Sequence, residues 1–178
     1  SPVQYINTLR IRHFVSLYRE AVAAGKSVSA KQLASQSGYR SYSTQKAIYD
    51  RRVKERGKAK TELTTAPPGC SEHQTGLAMD VEGESTKGGL TQSFGESPEG
   101  IWLAENCHRF GFIIRYGEGW RKITGYSYEP WHIRYVGKEL ATYCYEHNLT
   151  LEELTSCCAH YEPIEMIIQS DFTLEDTT

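Results

Sequence analysis

Two short segments of this sequence hold side chains suited to chemistry. The first runs Ser71-Glu72-His73-Gln74-Thr75-Gly76-Leu77-Ala78-Met79-Asp80, and the second is Glu129-Pro130-Trp131-His132. Together they supply two imidazoles and a carboxylate that can bind a metal, with another carboxylate to spare. Catalytic zinc takes three nitrogen or oxygen ligands from the protein and keeps a fourth position open for water. His73, Asp80 and His132 match that demand and leave Glu129 free. Taken singly, each histidine has an ordinary alternative as a satisfied structural residue. Asp80 is odder, because Asp disfavours strands unless it is paired. The joint pattern is what points to metal chemistry.

Spacing divides the labour further. Glu129 and His132 lie three positions apart in what reads as extended chain, about 10 Å at about 3.3 Å per residue. Both are first ligands only if the Pro130 segment bends sharply. A carboxylate entering beside a metal reaches the water there instead, takes its proton and passes it to a leaving amine.

The elements that must position these groups follow from hydrophobic period and end signals. Residues 4–22 place Ile6, Leu9, His13, Phe14, Leu17, Tyr18 and Ala21 at helical spacing, with a stop near Gly25. A short strand is expected around Leu33 to Ser37. A second helix spans roughly 44–56, capped by Ser43 or Thr44. Its far end carries Arg51, Arg52, Lys54, Arg56, Lys58 and Lys60. That run reads as a solvated helix face, attraction to an anionic polymer being the other reading. Residues 76–81 alternate as a strand, with Leu77, Met79 and Val81 on one face and Ala78 and Asp80 on the other. Residues 82–97 read as a surface excursion. Ser97-Pro98-Glu99 opens a helix that ends at Gly111, and residues 112–116 and 131–136 read as strands. Thr150 to Glu153 forms a capping box for a late helix. The sum is one α+β domain, residues 1–178, with a small antiparallel sheet flanked by helices.

Composition excludes several other classes. The 178 residues carry 20 Lys+Arg against 22 Asp+Glu, a net charge of -2. A protein that holds nucleic acid by its phosphates normally shows a clear basic excess, so that class is set aside. No apolar run approaches the roughly 18 residues of a membrane span. The cysteines are Cys70, Cys107, Cys144, Cys157 and Cys158, without a CxxC pair and odd in number. Neither a disulfide scaffold nor a cysteine zinc ribbon fits, and free thiols are expected. Cys70, beside Ser71, is given no ligand role, and His13, His108, His147 and His160 match no pattern.

SxHxxGxAxD followed by ExWH resembles the zinc D-alanyl-D-alanine carboxypeptidases of the VanY type. They belong to a group that also holds lysostaphin-like peptidases and the hedgehog signalling domain. The resemblance spans about residues 33–137 and takes in Ser37-Gly38-Tyr39-Arg40, Gln45, Pro68 to His73, Phe112 to Tyr116, Ile123 to Gly125 and Glu129 to Gly137. It implies zinc on His73, Asp80 and His132, with Glu129 as general base. It implies that Arg40 steadies the developing oxyanion, a task suited to a fixed cation. Gln45 and Ser71 match positions expected to contact the substrate's terminal carboxylate, though Ser71 alone reads equally as a turn cap. Trp131 is expected to line the pocket.

The activity so implied removes the terminal D-Ala from peptidoglycan stem peptides ending in D-Ala-D-Ala. The alternative within the class is an L,D-carboxypeptidase trimming tetrapeptides to tripeptides, and phage-lysin endopeptidases are a weaker third. A zinc-dependent binding domain without catalysis is the reading from another class. Glu129 separates the two, because a binding domain has no use for a spare carboxylate beside the metal. Such a substrate points to the cell envelope, with any anchor upstream of Ser1. A cytoplasmic place, on soluble precursors, stays open.

Overall fold

The computed structural model describes residues 2–26, 28–30, 39–86 and 89–158. Helix α1 (Pro2–Ala23) leads to a short strand β1 (Val28–Ala30), then helices α2 (Tyr42–Arg56) and α3 (Lys58–Glu62). Strand β2 (Ala78–Gly83) is followed by α4 (Pro98–Asn106), β3 (Phe112–Tyr116), α5 (Arg121–Thr124) and β4 (Glu129–Tyr135). Helices α6 (Lys138–His147) and α7 (Leu151–Cys158) close the described chain. The antiparallel sheet has the order β1-β2-β4-β3. β1 pairs with the far end of β2, and β4 with its beginning, so that Asp80 stands directly opposite His132.

The period-2 pattern in the strands separates two faces. Met79, Val81, Phe112 and Ile133 point to one side and are at most 2% exposed. They pack on Phe14, Leu17 and Ala21 of α1 and on Leu103 of α4. Phe14 meets Phe112 edge-on at 6.4 Å, a favoured aromatic arrangement. Each large side chain buried there contributes about 1.5–3 kcal/mol. Asp80 and His132 stand on the opposite face. Beyond them Ile113 joins Ala141, Cys144 and Leu154 in a smaller cluster beneath α6 and α7.

End signals explain most boundaries. The Ser97 hydroxyl accepts from the Gly100 amide at 3.1 Å, with Pro98 and Glu99 in the first turn of α4. Glu153 and Thr150 bond each other's amides at 2.9 and 3.1 Å, the reciprocal box that starts α7. Helix α2 differs from expectation: Ser41, not Ser43 or Thr44, is its cap, accepting from the Thr44 amide at 3.2 Å. Strand β4 begins at Glu129, two residues early.

Residues 82–97 also differ from a plain surface excursion. Their described part finishes β2 and then turns inward to bury Phe94 completely. Gly100 makes that possible, since a Cβ there would lie 1.8 Å from the Phe94 carbonyl oxygen. A strand around Leu33 to Ser37 falls outside the described residues.

Candidate metal centre and active site

Three elements bring the candidate ligands together. His73 sits on a 3-10 turn, Glu72–Thr75, that ends at Gly76 in the left-handed region (φ 75°). Only glycine adopts that conformation without cost, and it lets the chain enter β2 at once. Two residues into β2 comes Asp80, and across the ladder stands His132. Asp80 Oδ1 lies 3.0 Å from His132 Nδ1, and Oδ2 lies 3.4 Å from His73 Nε2. The imidazoles meet edge-on, their centroids 5.0 Å apart. All three residues are buried, and their ligand atoms lie within 4.8 Å of one another.

A bulge settles the position of Glu129. In the β3–β4 ladder Ile114 faces Ile133 and Tyr116 faces Glu129, so β4 spends four residues where β3 spends two. In a regular strand, residues three apart point to opposite faces. The extra residues turn Glu129 back to the side of His132, and both line one cleft of about 390 Å³. Spacing alone made a sharp bend at Pro130 the condition for both to be ligands, and the candidate ligand group holds His132 without Glu129. Glu129 is 7% exposed. Burial pushes its carboxyl up to about 7, against the pull of His132, Arg52 and Arg40. A carboxyl so tuned is suited to accept and return a proton near neutral pH.

Arg40 is held from two sides. Its amide donates to the His73 carbonyl at 3.0 Å, tying its backbone to the ligand turn. Its guanidinium donates through Nη1 to Gln45 Oε1 at 2.9 Å, while Nη2 lies 3.9 Å from Asp80 Oδ2. Gln45 is 1% exposed and donates through Nε2 to the Ala66 carbonyl at 2.6 Å. Ser71 lines the cleft, and its side chain makes no capping bond to the turn that follows. Trp131 lines the cleft too, while packing on the main core.

Glu72 is the functional neighbour that sequence reasoning missed. Its Oε2 lies 3.5 Å from His132 Nε2, the ring nitrogen turned away from Asp80. Its Oε1 accepts from Arg115 Nε at 2.7 Å and pairs with Arg134 Nη1 at 3.0 Å. Arg115 in turn makes a forked pair with Glu152 of α7, at 2.8 and 2.6 Å. Burial would raise the Glu72 carboxyl, yet His132, Arg115 and Arg134 hold it at about 2. Glu72 is thus a permanent anion behind His132. That directs a proton to Nε2 and leaves Nδ1 free to hold a metal, an arrangement common at metal-binding histidines. The signal was present in the sequence, since a residue beside a ligand on a tight turn is a natural candidate for such support.

The residues present fit zinc. Two imidazole nitrogens and one carboxylate make the three-ligand set of catalytic zinc sites. Burial lowers His73 toward the neutral form that coordinates metal. Burial opposes charge on His132 as well, but Asp80 and Glu72 outweigh it and raise that group to about 9. Positive charge is therefore favoured between these carboxylates, and a divalent cation supplies it. Cys70 is exposed and stands outside the ligand group. His108 stacks on Tyr145 at 3.9 Å and His147 on Tyr143 at 4.1 Å, away from the cleft. His13 lies against Tyr135, and His160 is outside the described residues.

Comparison with known proteins agrees with this geometry. The family model for D-alanyl-D-alanine carboxypeptidase, VanY, matches residues 7–138. The Bacillus subtilis (strain 168) protein YodJ is 49% identical over 122 residues, 68% of this chain. This chain spans 45% of YodJ's length. Among solved structures, that of the LdcB LD-carboxypeptidase is 41% identical with a TM-score of 0.76, covering 83% of this chain and 67% of that one. The vancomycin resistance D,D-pentapeptidase VanY, in complex with Zn(II), is 40% identical with a TM-score of 0.68, covering 81% of this chain and 80% of that one.

Proposed function

Because the chain belongs to the VanY family of D-alanyl-D-alanine carboxypeptidases, we propose that it is a zinc carboxypeptidase removing the terminal D-Ala of peptidoglycan stem peptides. The observation that carries this reading is the meeting, in one cleft, of the buried His73–Asp80–His132 group with a Glu129 carboxyl raised to about 7. His73, Asp80 and His132 hold the metal in this scheme. Zinc at these ligands supplies Lewis acidity, which polarises the scissile carbonyl and acidifies a nearby water.

The chain's own groups do the rest. Glu129 takes a proton from the attacking water as its oxygen bonds to the carbonyl carbon. Glu129 then returns the proton to the amide nitrogen as the C–N bond breaks, releasing D-Ala with a neutral amino group and its carboxylate unchanged, while the carbonyl carbon becomes the new terminal carboxyl. Arg40 faces the oxygen on which negative charge gathers; it is preset by Gln45, so little reorganisation is needed at the moment of reaction. Ser71 and Trp131 form walls of the cleft that orient the peptide, and Gln45 contributes through its grip on Arg40.

A binding domain without catalysis gains nothing from a buried carboxyl poised near neutral pH. The L,D-carboxypeptidase reading is the second one, favoured by the LdcB likeness at a TM-score of 0.76. A cell-wall substrate places the protein at the extracytoplasmic face. Among the described residues no helix is long and apolar enough to cross a membrane.

Mass spectrometry of stem peptides ending in D-Ala-D-Ala, in a single D-Ala after an L-centre, or in D-lactate tests the proposal. Loss of one alanine from the pentapeptide is expected. A tetrapeptide preference of tenfold or more in kcat/KM, about 1.4 kcal/mol in transition-state binding, would shift the assignment to the L,D activity. No cleavage of any of them by the zinc-loaded protein would remove the carboxypeptidase reading.

A further inference from the structure

The sheet face that carries Asp80 and His132 extends past them toward the end of the described chain. His132 and Arg134 share that face of β4, two positions apart. Ile113 stands directly opposite Arg134, and Arg115 follows two positions on along β3. Ile113 joins Leu154 of α7 in one buried cluster, and Arg115 makes its forked pair with Glu152. Helix α7 is therefore seated on the same face as the candidate ligands, by one apolar and one charged contact.

Between α7 and His132 lie two carboxylates, Glu72 and Glu152, and two guanidinium groups, Arg115 and Arg134. Arg115 is the member that joins both ends. Glu152 takes Nη1 and Nη2 at 2.8 and 2.6 Å, while Nε faces Glu72 at 2.7 Å. A guanidinium is planar, so a fork on one edge fixes the direction of the donor on the other. Arg115 also lies over the Tyr116 ring at 5.0 Å, and that ring packs on His132 with centroids 5.0 Å apart. The Arg115 side chain is 9% exposed and that of Glu152 35%, so the outer carboxylate can be changed without opening the core. The turn that presents Glu152 is held by the box between Thr150 and Glu153.

We infer that docking of α7 and metal loading at His73, Asp80 and His132 are coupled, with Glu152 and Arg115 as positioning residues that act on His132 through Glu72. This rests on the zinc reading above and adds to it a dependence on a helix that supplies no ligand. Such coupling is reciprocal. With α7 in place, Arg115 holds Glu72 behind Nε2 of His132 and keeps Nδ1 turned toward Asp80. A cation bound there fixes His132 and Glu72, which in turn holds Arg115 ready for Glu152. The fork is required and not charge alone, because a point charge sets no direction.

The test measures zinc affinity by chelator competition, and hydrogen exchange at the amides of residues 154–158 with and without zinc. It uses the full chain as wild type, Glu152→Gln and Arg115→Lys. In the wild type, zinc should slow exchange in α7 as well as in β2, since local opening of the helix then costs more. Glu152→Gln should weaken zinc binding by about fivefold or more, the lower end of typical coupling between sites. Zinc should no longer protect α7 in that variant, while it still protects β2. Arg115→Lys, which keeps the charge and loses the fork, should behave the same way. Unchanged zinc affinity in Glu152→Gln, whatever happens to its Tm, makes Glu152 a structural tie and overturns the coupling. So does α7 exchange in the wild type that ignores zinc; both results leave the ligand assignment intact. A wild type that binds no zinc removes the zinc reading itself, and this inference falls with it.

Discussion

Glu72 stands behind His132, its Oε2 3.5 Å from Nε2, while Asp80 faces Nδ1 of the same ring at 3.0 Å. The imidazole is thus gripped between two carboxylates, one on the candidate metal side and one on the far side. Arg115 and Arg134 fix Glu72, and Glu152 fixes Arg115, so the orientation of a ligand traces back to the capped first turn of α7.

Glu72→Gln should therefore weaken zinc binding without abolishing it. Loss of such outer support typically costs about 10–100-fold in metal affinity. Competition against a chromophoric chelator measures this directly. His132→Ala, by contrast, should take the stoichiometry from one zinc per chain to none. An unchanged affinity in Glu72→Gln would reduce Glu72 to a partner of Arg115 and Arg134.

Glu129 gives a prediction on both activity and stability. Glu129→Gln is nearly isosteric and cannot carry the proton, so turnover should fall by about 10²–10⁴-fold or more with zinc retained. The sign of the stability effect comes from the raised carboxyl, from its ordinary 4.5 to about 7. Below 4.5 both folded and unfolded forms hold the proton, and the group costs nothing. Above 7 both have lost it, and the folded state bears the full cost of a buried charge. In the chelator-treated protein Glu129→Gln should thus stabilise at pH 8, by on the order of 3 kcal/mol at most, and hardly at pH 4. Denaturant melts at the two pH values check it, and a larger gain at pH 4 would contradict the burial argument.

The sequence makes the candidate metal group legible because His73, Asp80 and His132 lie in a spacing that ordinary core residues seldom share. Caps and strands were legible where local chemistry decides them, as at Ser97, Thr150 and residues 112–116. That Glu129 shares the cleft with His132 was not legible from spacing, since a bulge is a property of two strands and not of one. Glu72 carried only a weak signal, its place beside His73, and its meaning comes from Arg115, Arg134 and Glu152, which lie far away in sequence. Phe94 was lost in a polar stretch, where a single apolar residue carries no period.

The buried turn at Phe94 leads to a prediction on the fold. Gly100→Ala would place a methyl group 1.8 Å from the Phe94 carbonyl oxygen, against backbone, with no flexible side chain to yield. Overpacking of this kind costs about 1–3 kcal/mol, and more when backbone must move. A fall of several degrees in Tm is expected, with the zinc site affected only through the fold. An unchanged Tm would mean that residues 94–100 shift easily.

Arg40 and Gln45 should behave as one unit. The guanidinium reaches Gln45 Oε1 at 2.9 Å with one arm and turns the other toward Asp80 at 3.9 Å. A lysine carries a point charge on a flexible stem and cannot serve both directions at once. Arg40→Lys also leaves the buried Gln45 acceptor without its donor, a loss of about 1–3 kcal/mol when nothing replaces it. Removing a preset donor to a developing oxyanion typically costs about 10²–10³-fold in kcat. Gln45→Met leaves the charge in place but releases its orientation, so its effect should fall on kcat more than on zinc content. If Gln45 acts through Arg40, the double variant loses less than the two single losses combined, with a coupling of about 0.5–3 kcal/mol. Steady-state kinetics on all four proteins measure it. Strict additivity would mean that Gln45 touches the substrate on its own account and that Arg40 is held by something else.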